Sequence, residues 1–96
     1  MTMYNPPHPG EIIRDIYLEA TDLSLRQIAE KMDISASTLN RLVNGKSSVS
    51  PEMAIRLSIC LGRSPESWLS MQDHHDLWMA KKQLNVKNLK QIQFAA

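Results

Sequence analysis

Apolar residues along this chain recur every three to four positions, and each such run is opened or closed by residues that cap helices. Ile12, Ile13, Ile16, Tyr17 and Ala20 follow His8-Pro9-Gly10-Glu11. Pro is suited to a first turn, where its missing N–H would be unpaired anyway, and Glu places negative charge at the positive end of the helix dipole. The spacing predicts a first helix near residues 9–20, with His8 as its cap. Ser24-Leu25-Arg26-Gln27 is a capping box in which Ser24 and Gln27 each satisfy an orphan backbone donor. It opens a short second helix with Ile28, Ala29 and Met32 on one face. Ser35 caps a third helix whose Leu39, Leu42 and Val43 face inward, and Asn44-Gly45 ends it because both tolerate a left-handed backbone. Ser50-Pro51-Glu52 opens a fourth, with Ala54, Leu57, and Cys60 or Leu61 as its stripe and Gly62 as its stop. Ser64-Pro65-Glu66 opens a fifth that reaches about Lys82. No stretch alternates with period two for more than a few residues. The fold class is therefore all-α, a bundle of five helices, or six if the tail also coils.

Length and composition narrow the class further. At 96 residues the chain is one small domain, expected to occupy 1–82, with 83–96 as a tail. The longest apolar run is Leu77-Trp78-Met79-Ala80. A membrane span needs about 20 such residues and a secretory signal about 7–15, so neither is expected. Cys60 has no second cysteine to pair with, which fits a reducing, cytoplasmic setting. The net charge of +1 is uneven along the chain. Residues 1–23 hold one Arg and four acids, and 24–48 hold four bases and two acids. Residues 74–96 hold four Lys and one Asp. With a pI of 7.9, any binding to DNA must rest on a local basic face.

The second and third helices supply such a face. They are separated by Asp33-Ile34, enough only for a sharp turn between packed helices, with small Ala29 at the closest approach and Ile28, Met32, Ile34, Leu39 and Leu42 beneath. This is the pattern of a helix-turn-helix. Left outside are Ser37, Thr38, Asn40, Arg41 and Asn44, then Lys46, Ser47 and Ser48, and no acid lies between Ile34 and Val49. Hydroxyls, amides and cations suit a helix entering the major groove, where acids would repel phosphate. Arg41 is the candidate for a bidentate bond to guanine and Asn40 for a pair with adenine. Ser37 and Thr38 reach base edges or a thymine methyl. Asn44, Lys46 and Ser47 suit phosphates. A solvated polar face on a small bundle is the plainer reading of the same residues.

The stretch LSLRQIAEKMDISASTLNRLVNGKSSVSPEMAIRLSICLG resembles the helix-turn-helix of the phage-repressor (Cro or Xre) superfamily, with its lambda-repressor-like fold. The flanks HPGEIIRDIYLE and SPESWLSMQDHHDLWMA narrow the likeness to HigA-type, VapI-like antitoxins, over roughly residues 8–80. The resemblance implies a cytoplasmic, homodimeric, DNA-binding antitoxin that neutralises a cognate RelE-type, messenger-RNA-cleaving toxin. It also implies repression of the protein's own operon through a palindromic operator in double-stranded DNA. By position it gives Ser37, Thr38 and Arg41 base contacts and Asn44 a backbone contact. Many members place glutamine first in both helices of the motif, where this chain has Leu25 and Ala36, so the amide pair that reads an A·T step there is absent. A turn position that often holds glycine is Asp33, which tolerates the left-handed conformation at modest cost.

Four residues of the fifth helix, Trp68, Gln72, Leu77 and Trp78, are candidates for a dimer interface, where large aromatics are enriched, although core packing accounts for at least one Trp. A symmetric pair of recognition helices about 34 Å apart is the usual way this motif reads DNA. Adjacent His74 and His75 point about 100° apart on a helix and zinc spacing is absent, so no metal and no cofactor are expected. No enzyme is expected either, since neither a catalytic signature nor a glycine-rich phosphate loop is present. Rival readings are a repressor without a toxin partner and a protein-interaction module with a vestigial helix-turn-helix. The tail, with Lys87 and Lys90 among Leu84, Val86, Leu89, Ile92 and Phe94, is either a loosely docked terminal helix or an arm that folds on a partner.

Overall fold

The computed structural model describes residues 5–95. Among them there are five α-helices and no strand, as the spacing predicts. They are α1 (Pro9–Ile12), α2 (Leu25–Lys31), α3 (Ala36–Val43), α4 (Pro51–Leu61) and α5 (Pro65–Gln83). A π-helical segment, Ile13–Leu18, continues α1 without a break. Ser24, Ser35, Ser50 and Ser64 each accept from the backbone N–H three residues on, so four serines start four helices by one mechanism. His8 forms a full capping box of its own, with Nδ1 accepting from Gly10 N at 2.9 Å and Glu11 accepting from His8 N at 3.0 Å.

The π-helical segment changes which residues face inward. Its i→i+5 bonding takes in more residues per turn than an α-helix. Tyr17 and Leu18 therefore pack below buried Ile13, while Ile16 turns out to 51% exposure and Ala20 is exposed with it. Helical spacing alone predicts both on the inner stripe. Gly10 is buried where α1 crosses α3, and a Cβ there would overlap the Leu42 carbonyl oxygen, so only glycine permits this approach.

One core holds Ile13, Ile28, Ala29, Met32, Leu39, Leu42, Val43, Val49, Ala54, Leu57 and Trp68. Trp68 is fully buried, donates from Nε1 to Gly62 O at 2.8 Å, and lies 5.8 Å from the Tyr17 ring. The Arg63 guanidinium lies over the Trp68 ring, 5.9 Å from its centroid, and donates from Nε to the Tyr17 hydroxyl at 3.1 Å. Trp68 and Gln72 are thus interior residues, which corrects their assignment to a dimer surface. Leu77 is exposed and Trp78 half-buried. Of the two residues offered for the last position of the α4 stripe, Cys60 is not the one that is covered. It is exposed, its thiol turned toward the Lys31 carbonyl at 3.4 Å, and Leu61 completes the α4 stripe instead. From Gln83 to Ala95 every residue is exposed and no sixth helix forms.

Candidate nucleic-acid interface

The geometry of α3 begins at the turn that precedes it. Asp33 N donates to Glu30 O at 3.1 Å and Ile34 N to Ala29 O at 3.0 Å, with Asp33 at φ 57°. This is a Schellman closure with aspartate in the left-handed position usually given to glycine. Arg56, one helix further on, secures the same turn. Its Nη1 donates to Met32 O at 2.7 Å and to Asp33 O at 3.1 Å, and it lies 3.9 Å from the Asp33 carboxylate. The exposed ion pair itself contributes little. The two carbonyl contacts matter more, because they satisfy backbone acceptors that the end of α2 leaves unpaired. Sequence reasoning missed Arg56, since its partners lie 23 and 24 positions away and share no local spacing with it.

The far end of α3 is closed in the same way. Gly45 N donates to Leu42 O and Lys46 N to Arg41 O, at 3.0 and 2.9 Å, with Gly45 at φ 72°. The loop beyond it is held from two sides. Gln72 Oε1 accepts from Val49 N at 2.8 Å while its Nε2 donates to Asp76 at 3.0 Å. The buried His8 ring faces the Ser47 backbone and lies edge-on to His75 at 5.2 Å. Burial, with His75 beside it, pushes the pKa of His8 below its ordinary 6.5, so the ring is neutral at neutral pH and Nδ1 can accept from Gly10.

Between these fixed ends α3 buries Leu39, Leu42 and Val43 and turns Ser37, Thr38, Asn40 and Arg41 outward. Asn44 and Lys46 are exposed next to them and Ser47 is half-buried. All seven residues singled out from the sequence therefore fall on one end of the bundle, on or just after one helix. Their availability differs. The Thr38 hydroxyl accepts from Ser35 Oγ at 2.8 Å, which leaves its own proton and methyl outward. The Asn44 amide donates to Asn40 O at 2.8 Å and to Asn40 Oδ1 at 3.2 Å. Asn44 must give up the longer bond to donate to a phosphate, while the Asn40 amide protons stay free for a base edge. Arg41 has no ion-pair or hydrogen-bond partner among the described residues.

His74 and His75 turn to different carbonyls, Ser70 O at 2.7 Å and Pro6 O at 2.9 Å. Among the described residues no three His, Cys, Asp or Glu side chains gather as a metal site would need. No helix among them is long and apolar enough to cross a membrane.

Two short helices joined by a sharp turn, the second presenting a polar outer face, define the class as a helix-turn-helix protein. The chain belongs to the helix-turn-helix family, whose model matches residues 15–68. It is 42% identical over 92 residues to the HTH-type transcriptional regulator YddM of Escherichia coli (strain K12), spanning 96% of this chain and 97% of that one. It is 35% identical over 77 residues to antitoxin HigA-1 of Vibrio cholerae serotype O1, spanning 80% of this chain and 72% of that one. Among solved structures it is similar to antitoxin GraA, with TM-score 0.84, 33% identity and coverage of 97% and 100%. It is also similar to antitoxin GraA in complex with its operator, with TM-score 0.81, 32% identity and coverage of 100% and 97%.

Proposed function

We propose that this protein is a DNA-binding antitoxin that acts as a homodimer, represses its own operon and neutralises a RelE-type messenger-RNA-cleaving toxin. The observation that carries the DNA part is the outer face of α3, where exposed hydroxyls, amides and the Arg41 guanidinium, unpaired among the described residues, sit on a backbone closed at both ends. A rigid helix of this kind can enter the major groove without reordering, so little of the binding energy is lost to side-chain and backbone ordering. Arg41 and Asn40 read base edges, Ser37 and Thr38 reach bases near the start of α3, and Asn44, Lys46 and Ser47 hold phosphates. The likeness to an antitoxin solved on its operator supports this assignment over a vestigial motif.

The toxin part rests on the relatives that are named antitoxins. One experiment tests both parts. A shift assay uses the DNA upstream of the gene against random duplex, at low and high salt, with and without the product of the adjacent gene. Preference for the upstream DNA, and a stable complex with a small basic neighbour protein, are expected. Equal affinity for both duplexes at both salts would sink the repressor reading, and a neighbour that neither binds nor is toxic would sink the antitoxin reading.

A further inference from the structure

Residues 84–95 leave the bundle with five apolar side chains uncovered: Leu84, Val86, Leu89, Ile92 and Phe94, each 60–84% exposed. The segment is nevertheless shaped. Asn85 Oδ1 accepts from Lys87 N at 2.9 Å and Leu89 N donates to Val86 O at 3.0 Å, which closes a turn at 87–88, and residues 89–95 beyond it are neither helix nor strand. Drawn out along a partner surface, such a segment presents alternate residues on one face, which would put Ile92 and Phe94 together. The segment also projects. The radius of gyration is 17.0 Å and the long axis 57 Å, against roughly 13 Å for the radius of a compact domain of this length. Apolar surface left in water on a shaped arm marks a contact that one copy of the chain does not complete.

The complementary surface lies on α5. Glu66, Leu69, Ser70, Asp73, His74 and Leu77 line a groove of about 440 Å³, with Leu69 and half-exposed Leu77 as its apolar wall and two carboxylates on its rim. The arm carries Lys87 and Lys90 and no acid. Its twelve residues span up to about 40 Å when extended, and the nineteen of α5 span about 28 Å, so the arm can follow the whole helix.

We propose that the arm of one copy lies in the α5 groove of a second copy, and that this reciprocal exchange makes the dimer. The inference rests on the homodimer reading above and names its surface. Lys87 and Lys90 meet Glu66 and Asp73, while the arm's apolar side chains cover Leu69 and Leu77. Because a two-fold exchange forms every contact twice, a standard interface of about 800 Å² per partner needs only about 400 Å² from each arm. Five large apolar side chains, among them a phenylalanine that alone buries about 150–250 Å², provide that.

The test is sedimentation equilibrium on the full chain. Wild type is expected to be a dimer. Leu89→Asp/Ile92→Asp on the arm and Leu77→Asp on the groove should each weaken dimerisation at least tenfold with an unchanged helical circular-dichroism spectrum, since none of these side chains is in the core. Lys87→Glu/Lys90→Glu should weaken it as well, and adding Glu66→Lys/Asp73→Lys in the same chain should restore it. A wild type that stays monomeric at micromolar concentration removes the homodimer reading and this proposal with it. A wild-type dimer that the arm variants leave unchanged overturns the proposal alone and places the interface elsewhere. Unchanged dimerisation accompanied by lost binding of toxin or of operator overturns it too, and assigns the arm to that partner.

Discussion

The outer face of α3 and the arm at 84–95 are both exposed, yet they are opposite kinds of surface. On α3 the exposed side chains are polar or cationic and the backbone beneath them is fixed by Leu39, Leu42 and Val43, by the turn at Asp33 and by the Gln72 bond to Val49. On the arm half of the exposed side chains are apolar, and the large ones among them stand 60–84% exposed. Exposure alone says little about function. A polar face on a rigid helix loses little by staying in water and little by docking on a charged duplex. An apolar face gains only when another apolar surface covers it. The first therefore suits a nucleic acid and the second suits a protein.

That contrast breaks if the face of α3 helps to hold the fold. Trp68→Ala should cost about 3–5 kcal/mol in equilibrium urea unfolding, from lost burial and the cavity left behind. Arg41→Ala should stay within about 0.5 kcal/mol of wild type in the same measurement, because the Arg41 side chain is exposed and makes no ion pair among the described residues. A comparable loss in the two variants would show that Arg41 is structural.

A sharper test concerns what each residue of the interface does. On operator DNA, Arg41→Ala should lose about 1–3 kcal/mol and relax sequence preference, whereas an equal loss on random duplex would contradict base reading. Gln72→Leu removes the acceptor from the buried Val49 N–H and should cost about 1–3 kcal/mol of stability. It should also weaken DNA binding without altering preference, since the loop carrying Lys46 and Ser47 is released. Lys46→Ala has a smaller expected effect, a uniform loss across sequences and a salt slope of log K against log salt shallower by about 1. An unchanged slope would remove Lys46 from the phosphate contacts.

The smallest effect is one of pH. His8 has a folded-state pKa below 6.5, so above about pH 6.5 both folded and unfolded chains hold it neutral and its cap is intact. As pH falls from 6.5 toward the lowered value, the unfolded chain takes up the proton first and stability declines. Glu11, His75 and Asp76 face the ring and modulate the charge there. A melting-temperature series from pH 7.5 to 5 should fall in wild type and flatten in His8→Asn, which keeps a capping acceptor but does not titrate. Parallel curves for the two would rule out His8 as the source.

The legible parts of this protein are those set within a few residues of sequence. Capping serines, prolines at helix starts and apolar residues at helical spacing act over one or two turns, so five helices and the outward set from Ser37 to Ser47 could be read directly. Contacts between distant elements could not. Ile16 and Tyr17 look alike to a 3.6-residue period, and only the wider turns of the π-helical segment send one out and keep the other in. Trp68 and Gln72 have interface chemistry by type, but the fold spends them on Gly62 O and Val49 N. Cys60 and Leu61 are adjacent on one helix, and the packing of α4 decides which of them is covered. Gly10 and Arg56 have no local signature, because what they meet, the α3 backbone and the turn carbonyls, arrives beside them only when the chain has folded. Local hydrogen bonding and periodicity are written in the sequence, whereas which face meets which is decided by the sum of many long-range contacts in tertiary packing.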